Sequence, residues 1–290
     1  DDENIIETNP DNATLQASYD AARLKIVSIE PTVSGFENAT YTWKLGNEII
    51  GNEKTLGFVS DKVGAYDLML EIKSGTSTKT VKTKVNVTQE TATYSKYISQ
   101  VFDYLPAVGQ FTNKLPAYVD GDTQTEMTAK AGKALVGEKS TMITLGGYGG
   151  YVVFGFDHTI LNQKDKRDFK VLGNGFAGSS EPGIIMVAYD KNKNGKPDED
   201  EWYEIAGSEY TNPTTIKNYT ITYHKPTVED SNATPEYIKW EDNQGKSGFK
   251  AKNTFHKQPY YPIWFGQNQL KFSGTLLESN YTEKNGIWTG

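Results

Sequence analysis

The sequence predicts an all-β chain in which a small β-sandwich is followed by a larger, jelly-roll-like β-sandwich domain with long loops. Three observations predict it. Apolar residues reach only 36% of the 290, whereas aromatics make up 12% and include 18 Tyr. Few aliphatics with much Tyr favours pleated, half-buried surfaces. Alternating runs recur with Gly and Asn turns between them, which is the spacing of sandwiches. Beyond Pro106, helical periodicity is confined to a short stretch around 124–136. The length suits two domains better than one.

Residues 1–14, DDENIIETNPDNAT, are polar and acidic and are expected to form a flexible tether. They resemble a mature N-terminus after processing, as would follow a lipid anchor whose modified cysteine lies upstream. The expected location is therefore the bacterial outer membrane at the cell surface. Residues 15–90 hold the first sandwich. ARLKIVSIEP, TYTWKL, GNEII, GNEKTLGFV, AYDLMLEIK and KTVKTKVNVT are its candidate strands. Tyr41, Trp43 and Leu45 share one face at period two, and Tyr66, Leu68 and Leu70 share another. TQETATYSKYISQ is a polar linker, and Tyr97, Val101 and Tyr104 then fall near helical spacing until Pro106. The boundary is placed near residue 90.

Residues 91–290 form the expected ligand-binding domain. STMITLG, GYVVFGFD, DFKVLG, GIIMVAYD, EWYEIAG, YTITYHK, YIKWE and LKFSGTLL are its candidate strands. GYVVFGFD is nearly apolar throughout and should be central, covered on both faces.

Composition excludes several classes. The net charge of −7 argues against nucleic-acid binding, which needs a basic face. No run of 18 apolar residues offers a helical membrane span. The absence of cysteine removes disulfides, thiolate metal sites and cysteine nucleophiles together, and it suits a bacterial exported protein. No G-x-S-x-G elbow is present, and no carboxylate pair stands in a suggestive setting. The expectation is a non-enzymatic chain with no catalytic residues, and a monomer.

The sharpest local motif runs from Asp190 to Glu201. Asp190, Asn192, Asn194, Asp198 and Glu201 put side-chain oxygens at positions 1, 3, 5, 9 and 12, with Gly195 at 6. Lys196 would offer its carbonyl. Calcium takes six to eight hard oxygens, and alternate residues of a tight loop can aim theirs inward. The flanks IIMVAY and EWYEI read as strands, so this is a calcium-type loop in a hairpin, with a structural Ca²⁺ as its cofactor. The alternative is a solvated Asn/Asp/Gly turn.

The cluster LGGYGGY, residues 145–151, lacks the Lys-Ser/Thr of a phosphate loop and precedes a strand. Its glycines are expected to let the backbone pass close to another surface. Tyr148 either stacks on a flat ligand or covers the core edge. His158, beside Asp157, reads as structural and His224 as a surface residue. His256, in the aromatic loop TFHKQPYYPIW, is the better ligand contact. Asn174 and Phe176 on one loop, Trp240, Asp242 and Asn243 on a second, and Tyr260, Tyr261 and Trp264 on a third combine rings with amides. Flat aromatic faces with amide hydrogen-bonders suit a large, partly apolar, amide-rich ligand or a sugar ring. Phe154, Phe156 and Phe169 are expected in the core.

YTWKLGNEII, GAYDLMLEI and VKTKVNV resemble the PKD-like, immunoglobulin-like modules of bacterial surface proteins. The acidic WDFGDG-type turn is missing, so the module reads as a spacer. Across residues 100–290 the order YLPAVGQF, LGGYGGYVVFGFDHTI, DFKVLGNGF, SSEPGIIMVAYDKNKNGKPDEDEWYEIAGSEY, WEDNQGKSG and FHKQPYYPIW is similar to corrinoid-binding surface lipoproteins of gut Bacteroidetes, encoded beside cobalamin (vitamin B12) transporters. The resemblance implies capture of cobalamin and delivery to a TonB-dependent outer-membrane transporter. The acidic segment 198–201 is longer than that family's pattern. The alternative is a carbohydrate-binding surface protein of a glycan-uptake system.

Overall fold

The computed structural model describes residues 12–174, 181–229 and 232–277, and the strands 282–284 and 287–289. The chain divides into two compact units. The first runs through Tyr94 and includes Asp157–Lys170, and the second holds Ser95–Phe156 and the chain from Val171 onward. Both are built from strands, with a single α-helix among the described residues. No helix among them is long and apolar enough to cross a membrane.

The first unit contains β1 (Asn12–Thr14), β2 (Ser18–Ala22), β3 (Val27–Ile29), β4 (Thr32–Ser34), β5 (Thr40–Leu45), β6 (Glu48–Gly51), β7 (Leu56–Phe58), β8 (Gly64–Ser74) and β9 (Ser77–Thr88). Five of them form a sheet in the order β2-β9-β8-β5-β6, and β1-β4 and β3-β7 are antiparallel pairs. Alternation places Leu68, Leu70 and Ile72 of β8 and Val85 and Val87 of β9 inside, while Lys82 and Lys84 stay out. Trp43 sits opposite Leu70, wholly buried, and its Nε1 donates to the carbonyl of Glu53 at 2.9 Å. Burial of an indole without such a partner would strand its N–H. Gly75, at φ +56°, opens the two-residue turn between β8 and β9, where the left-handed region favours glycine.

Residues Asn12–Thr14, expected in the tether, pair with β4, and Ala13 is buried. Residues 157–170, expected in the second domain, pack with the first unit instead. Thr159 N–H donates to the Leu24 carbonyl at 2.9 Å, its hydroxyl accepts from Ile26 N–H at 3.2 Å, and Lys25 Nζ donates to the Asp157 carbonyl at 2.6 Å. Excursions of this kind are invisible to a linear reading because the partners lie over 130 residues apart.

The second unit contains β10 (Gln100–Leu105), α1 (Gln124–Leu135), β11 (Tyr151–Gly155), β12 (Met186–Ala188), β13 (Trp202–Glu204), β14 (Ile216–His224), β15 (Thr234–Asp242), β16 (Ser247–Lys252), β17 (Gln269–Leu276), β18 (Thr282–Lys284) and β19 (Ile287–Thr289). A four-stranded antiparallel sheet runs β16-β15-β14-β17. Tyr219, Ile221 and Tyr223 of β14, Tyr237 and Ile238 of β15, and Leu270 and Phe272 of β17 fill its inner face. A register shift in β15 between Thr234 and Ile238 lets the adjacent Tyr237 and Ile238 both be buried. Helix α1 begins at Thr123, whose N–H donates to Glu126 at 3.0 Å, and it buries Met127 and Ala131 one turn apart.

Several expected elements differ. Residues 100–105 form a strand rather than a helical turn, because they pair with β11 across a bulge at Phe102. β11 is not central: among the described residues its only ladder partner is β10, and its residues are half-buried or exposed. STMITLG is irregular. Its backbone is spent on single bonds to the 107–115 loop, from Thr144 N–H to Leu115 O at 2.7 Å and from Ala107 N–H to Leu145 O at 2.9 Å. DFKVLG is irregular too, GIIMVAYD shortens to Met186–Ala188, and β16 was unanticipated. Phe154, Phe156 and Phe169 are half-buried rather than core.

Arg23, just past β2, grips Glu90, just past β9, through both Nε (2.6 Å) and Nη2. This pairing holds the Glu90 carboxyl at about 2, well below its ordinary 4.5. A depressed carboxyl stabilises the folded state fully above pH 4.5 and loses that contribution as pH falls toward 2. Glu90→Gln is therefore expected to flatten the pH dependence of the first unit's thermal midpoint in that window, as measured by acid-series melting of both proteins.

Candidate functional site

The aromatic loop after β16 is organised by one residue of another loop. Asn113, buried at φ +67°, donates from Nδ2 to the carbonyls of Pro259 and Tyr261, both at 2.8 Å. Its Oδ1 accepts from Ile263 N–H at 3.0 Å. Asn is among the few residues that tolerate this backbone region. Tyr260 and Tyr261 are consequently driven into the core at 0% and 2% exposure. The Tyr260 hydroxyl donates to the His256 carbonyl at 3.1 Å, and that of Tyr261 donates to the Gln267 carbonyl at 2.9 Å. Burial pushes the Tyr261 phenol up to about 12. The expectation that these two rings face a ligand is corrected: each phenol finds a carbonyl inside, so the ring can be buried without stranding its hydroxyl.

Trp264 is half-buried. It lies between Tyr104 and Tyr118 in near-parallel stacking, at 6.3 Å from each ring, and its Nε1 donates to Gln124 Oε1 at 2.8 Å. Trp240 is half-buried against Gly248, where an added Cβ would come within 3.0 Å of the indole. Tyr148 settles on the core edge, edge-on to Tyr219 at 4.8 Å, and burial lifts its phenol to about 12. The neighbouring glycines act as expected. A Cβ at Gly146 would meet the Ala107 carbonyl oxygen at 2.1 Å, and one at Gly149 would meet Phe272 at 2.2 Å.

Asp242 and Asn243 build the β15–β16 turn. Burial alone would raise the Asp242 carboxyl. The N–H of Lys246, the phenol of Tyr219 and the N–H of Gln244 outweigh it and hold the group below the usual carboxylate range. Asn243 Nδ2 donates to the Asn218 carbonyl at 2.7 Å, and its Oδ1 accepts from Thr220 N–H at 3.1 Å. Both polar groups are thus committed to backbone. Asn174 is exposed on its loop, and Phe176 lies outside the described residues. Of the ten expected contacts, the structure therefore gathers Tyr148, Trp240, Asp242, Tyr260 and Tyr261 around one tyrosine-rich core rather than on a surface.

What the loop does present is the turn from Asn253 to Gln258. Asn253 Oδ1 accepts from the N–H groups of Phe255 (3.0 Å) and His256 (2.9 Å). Asn253 Nδ2 donates to Gln110 Oε1 at 2.7 Å, and Gln258 Nε2 donates to the Gln110 carbonyl. Phe255 projects outward, 87% exposed. His256 is half-buried with its ring edge-on to Phe111 at 4.7 Å, and its buried Nδ1 has no hydrogen-bond partner among the described residues. Such an atom costs about 1–3 kcal/mol. Phe255 and Gln110 were not singled out from sequence. The signal available was Asn253 two residues before Phe255, the spacing of an Asx turn.

The 190–201 loop folds around its first and last acids. Asp190 accepts from the N–H groups of Asn194 (3.0 Å) and Gly195 (2.9 Å), with Gly195 at φ +76°. Buried Glu201 accepts from Lys191 N–H at 2.6 Å and Asp198 N–H at 2.9 Å. Asn192 Nδ2 (2.5 Å) and Asn194 Nδ2 (2.7 Å) both donate to Asp198 Oδ2. Among the described residues, no three His, Cys, Asp or Glu side chains converge closely enough to hold a metal by themselves. The loop instead mixes carboxylates with the carboxamides of Asn192 and Asn194, and its donor types fit a hard, oxygen-seeking cation.

Residues 18–74 match the PKD-like domain family. No curated protein matches the chain. Among solved structures, the chain is similar to a quinonprotein alcohol dehydrogenase-like protein from Bacteroides thetaiotaomicron at 19% identity and a TM-score of 0.23, covering 36% of this chain and 22% of that one. It is also similar to the three N-terminal domains of the highly immunogenic outer capsid protein of bacteriophage RB49, at 12% identity and a TM-score of 0.21, covering 91% of this chain and 57% of that one. A third likeness is to carbohydrate-binding modules of the β-sandwich superfamily, described as promiscuous in specificity, at 10% identity and a TM-score of 0.23, covering 93% and 91%. The chain thus spans 22% and 57% of the lengths of the first two. The first unit carries a PKD-like domain, and the chain as a whole is all-β.

Asn113→Ala should destabilise the second unit by about 2–3 kcal/mol, since it leaves buried backbone groups of the 259–263 segment unsatisfied. Chemical denaturation reads this directly; a loss within error of zero would mean the clamp is dispensable.

Proposed function

We propose that this chain is a non-enzymatic binding protein of the bacterial cell surface that captures cobalamin or a related corrinoid and hands it to a TonB-dependent outer-membrane transporter. The observation that carries this reading is the order of motifs across residues 100–290, from YLPAVGQF to FHKQPYYPIW. Two features support it. The PKD-like domain suits a spacer that holds a binding unit away from the membrane. The exposed Phe255 turn, flanked by carboxamides, offers apolar area and amide hydrogen bonding in one place. A corrinoid is flat, wide and fringed with amides, and a preorganised surface holds such a ligand tightly without any reaction. Isothermal titration of the full chain with cyanocobalamin should show saturable binding, while a panel of glycans should not. Heat from a glycan alone would move the assignment to carbohydrate capture.

Calcium at the 190–201 loop is part of the same proposal. Asp190, Asn192, Asn194, Asp198 and Glu201, with the Lys196 carbonyl, would hold it. The ion would brace a hairpin whose strands β12 and β13 are only three residues each. A ligand that binds only the folded state at a hundredfold excess over its Kd stabilises by about 2.7 kcal/mol. EDTA should therefore lower the melting temperature by several degrees, and Asp190→Ala should melt at that lower temperature with or without EDTA. A melt indifferent to chelation would reject the metal.

A further inference from the structure

We infer that the ligand is met by the turn Asn253–Gln258 together with Gln110, with Phe255 as the flat apolar contact, rather than by the tyrosines that follow in the same loop. This rests on the corrinoid-capture reading above and assigns its site.

Three observations carry it. First, Phe255 stands 87% exposed while Tyr260 and Tyr261 of the same loop are buried. Covering the ring removes apolar area from water and so rewards a partner that stacks on it. Second, the ring is displayed rather than left loose. Asn253 Oδ1 holds the N–H groups of Phe255 and His256, Asn253 N–H donates to the Tyr260 hydroxyl at 3.3 Å, and that hydroxyl donates to the His256 carbonyl at 3.1 Å. The turn is therefore tied to a core side chain, so binding orders little that is not already ordered. Third, the carboxamides tied to the turn are half used. Gln110 spends its Oε1 on Asn253, and Gln258 spends its Nε2 on the Gln110 carbonyl. Among the described residues this leaves Gln110 Nε2 as an unpaired donor and Gln258 Oε1 as an unpaired acceptor. A macrocycle bordered by carboxamides, each carrying one donor group and one acceptor, is complementary to both. The same turn holds the buried Nδ1 of His256, which has no partner among the described residues and has room in its hydrogen bonding for a water or a ligand group.

The test is titration of cyanocobalamin into the full chain and its variants, with a melting curve for each. Because the ring is exposed, Phe255→Ala should leave the melting temperature unchanged and weaken binding by about tenfold or more, the loss typical of an aromatic anchor. Phe255→Leu should fall between the two, and Gln110→Ala and Gln258→Ala should each weaken binding severalfold. If the wild-type chain binds cyanocobalamin and Phe255→Ala binds it equally well, this site assignment is overturned while corrinoid capture stands. If the wild-type chain shows no saturable binding, the capture reading fails and the assignment falls with it. If a glycan binds instead and Phe255→Ala abolishes that, the corrinoid chemistry assigned to the turn is wrong.

Discussion

A phenol can be buried only where its hydroxyl finds a partner, and the second unit is organised around that constraint. Tyr104 donates to the carbonyl of Thr144, Tyr223 to that of Tyr148, Tyr260 to that of His256 and Tyr261 to that of Gln267. Tyr219 reaches Asp242, and Tyr237 reaches Glu229. Each ring contributes packing to the core, and each hydroxyl fixes a loop or turn at its edge. An unpartnered hydroxyl there would cost about 1–3 kcal/mol. The same requirement explains why burial moves these phenols upward: Tyr104, Tyr219, Tyr223 and Tyr237 all shift in that direction, with desolvation the largest cause.

From this core the surface of the aromatic loop follows. Tyr237 lies edge-on to Tyr260 at 5.5 Å, and its hydroxyl accepts from Tyr260 N–H at 3.2 Å. Lys252 is buried between them, with its ammonium 4.7 Å from the Tyr237 ring and 3.4 Å from Glu229. With Lys252 buried at the end of β16 and Asn113 holding Pro259, the intervening residues 253–258 form a tight turn. Phe255, which has no hydroxyl to satisfy, ends outside, and the more polar tyrosines end inside. Hydropathy alone orders them the other way.

The first unit follows simpler rules. Its buried core is mainly aliphatic around Trp43 and Phe58, the strands alternate cleanly, and the lysines of VKTKVNV fall on the outer face. A period of two in the sequence is enough to orient every side chain once one face is buried. That is why the PKD-like character of residues 18–74 was legible from TYTWKL and AYDLMLEIK without reference to distant contacts. The 190–201 loop is local for a related reason. Its bonds span at most twelve residues, the longest running from Tyr189 N–H to the Glu201 carbonyl, so local spacing contains the whole arrangement.

What the sequence determined by itself was set by local pattern: the all-β class, the short helix near 124–136, the Trp43 sheet and the close backbone approach at 145–151. What only the tertiary structure decided depended on contacts between distant segments. Asn113 clamping a loop nearly 150 residues away turned Tyr260 and Tyr261 inward. Leu24 and Lys25 drew 157–170 back into the first unit. The physical reason is the same in each case. An aromatic side chain carries no mark of which way it faces, and its direction is set by whichever distant carbonyl, amide or ring completes its hydrogen bonds and packing.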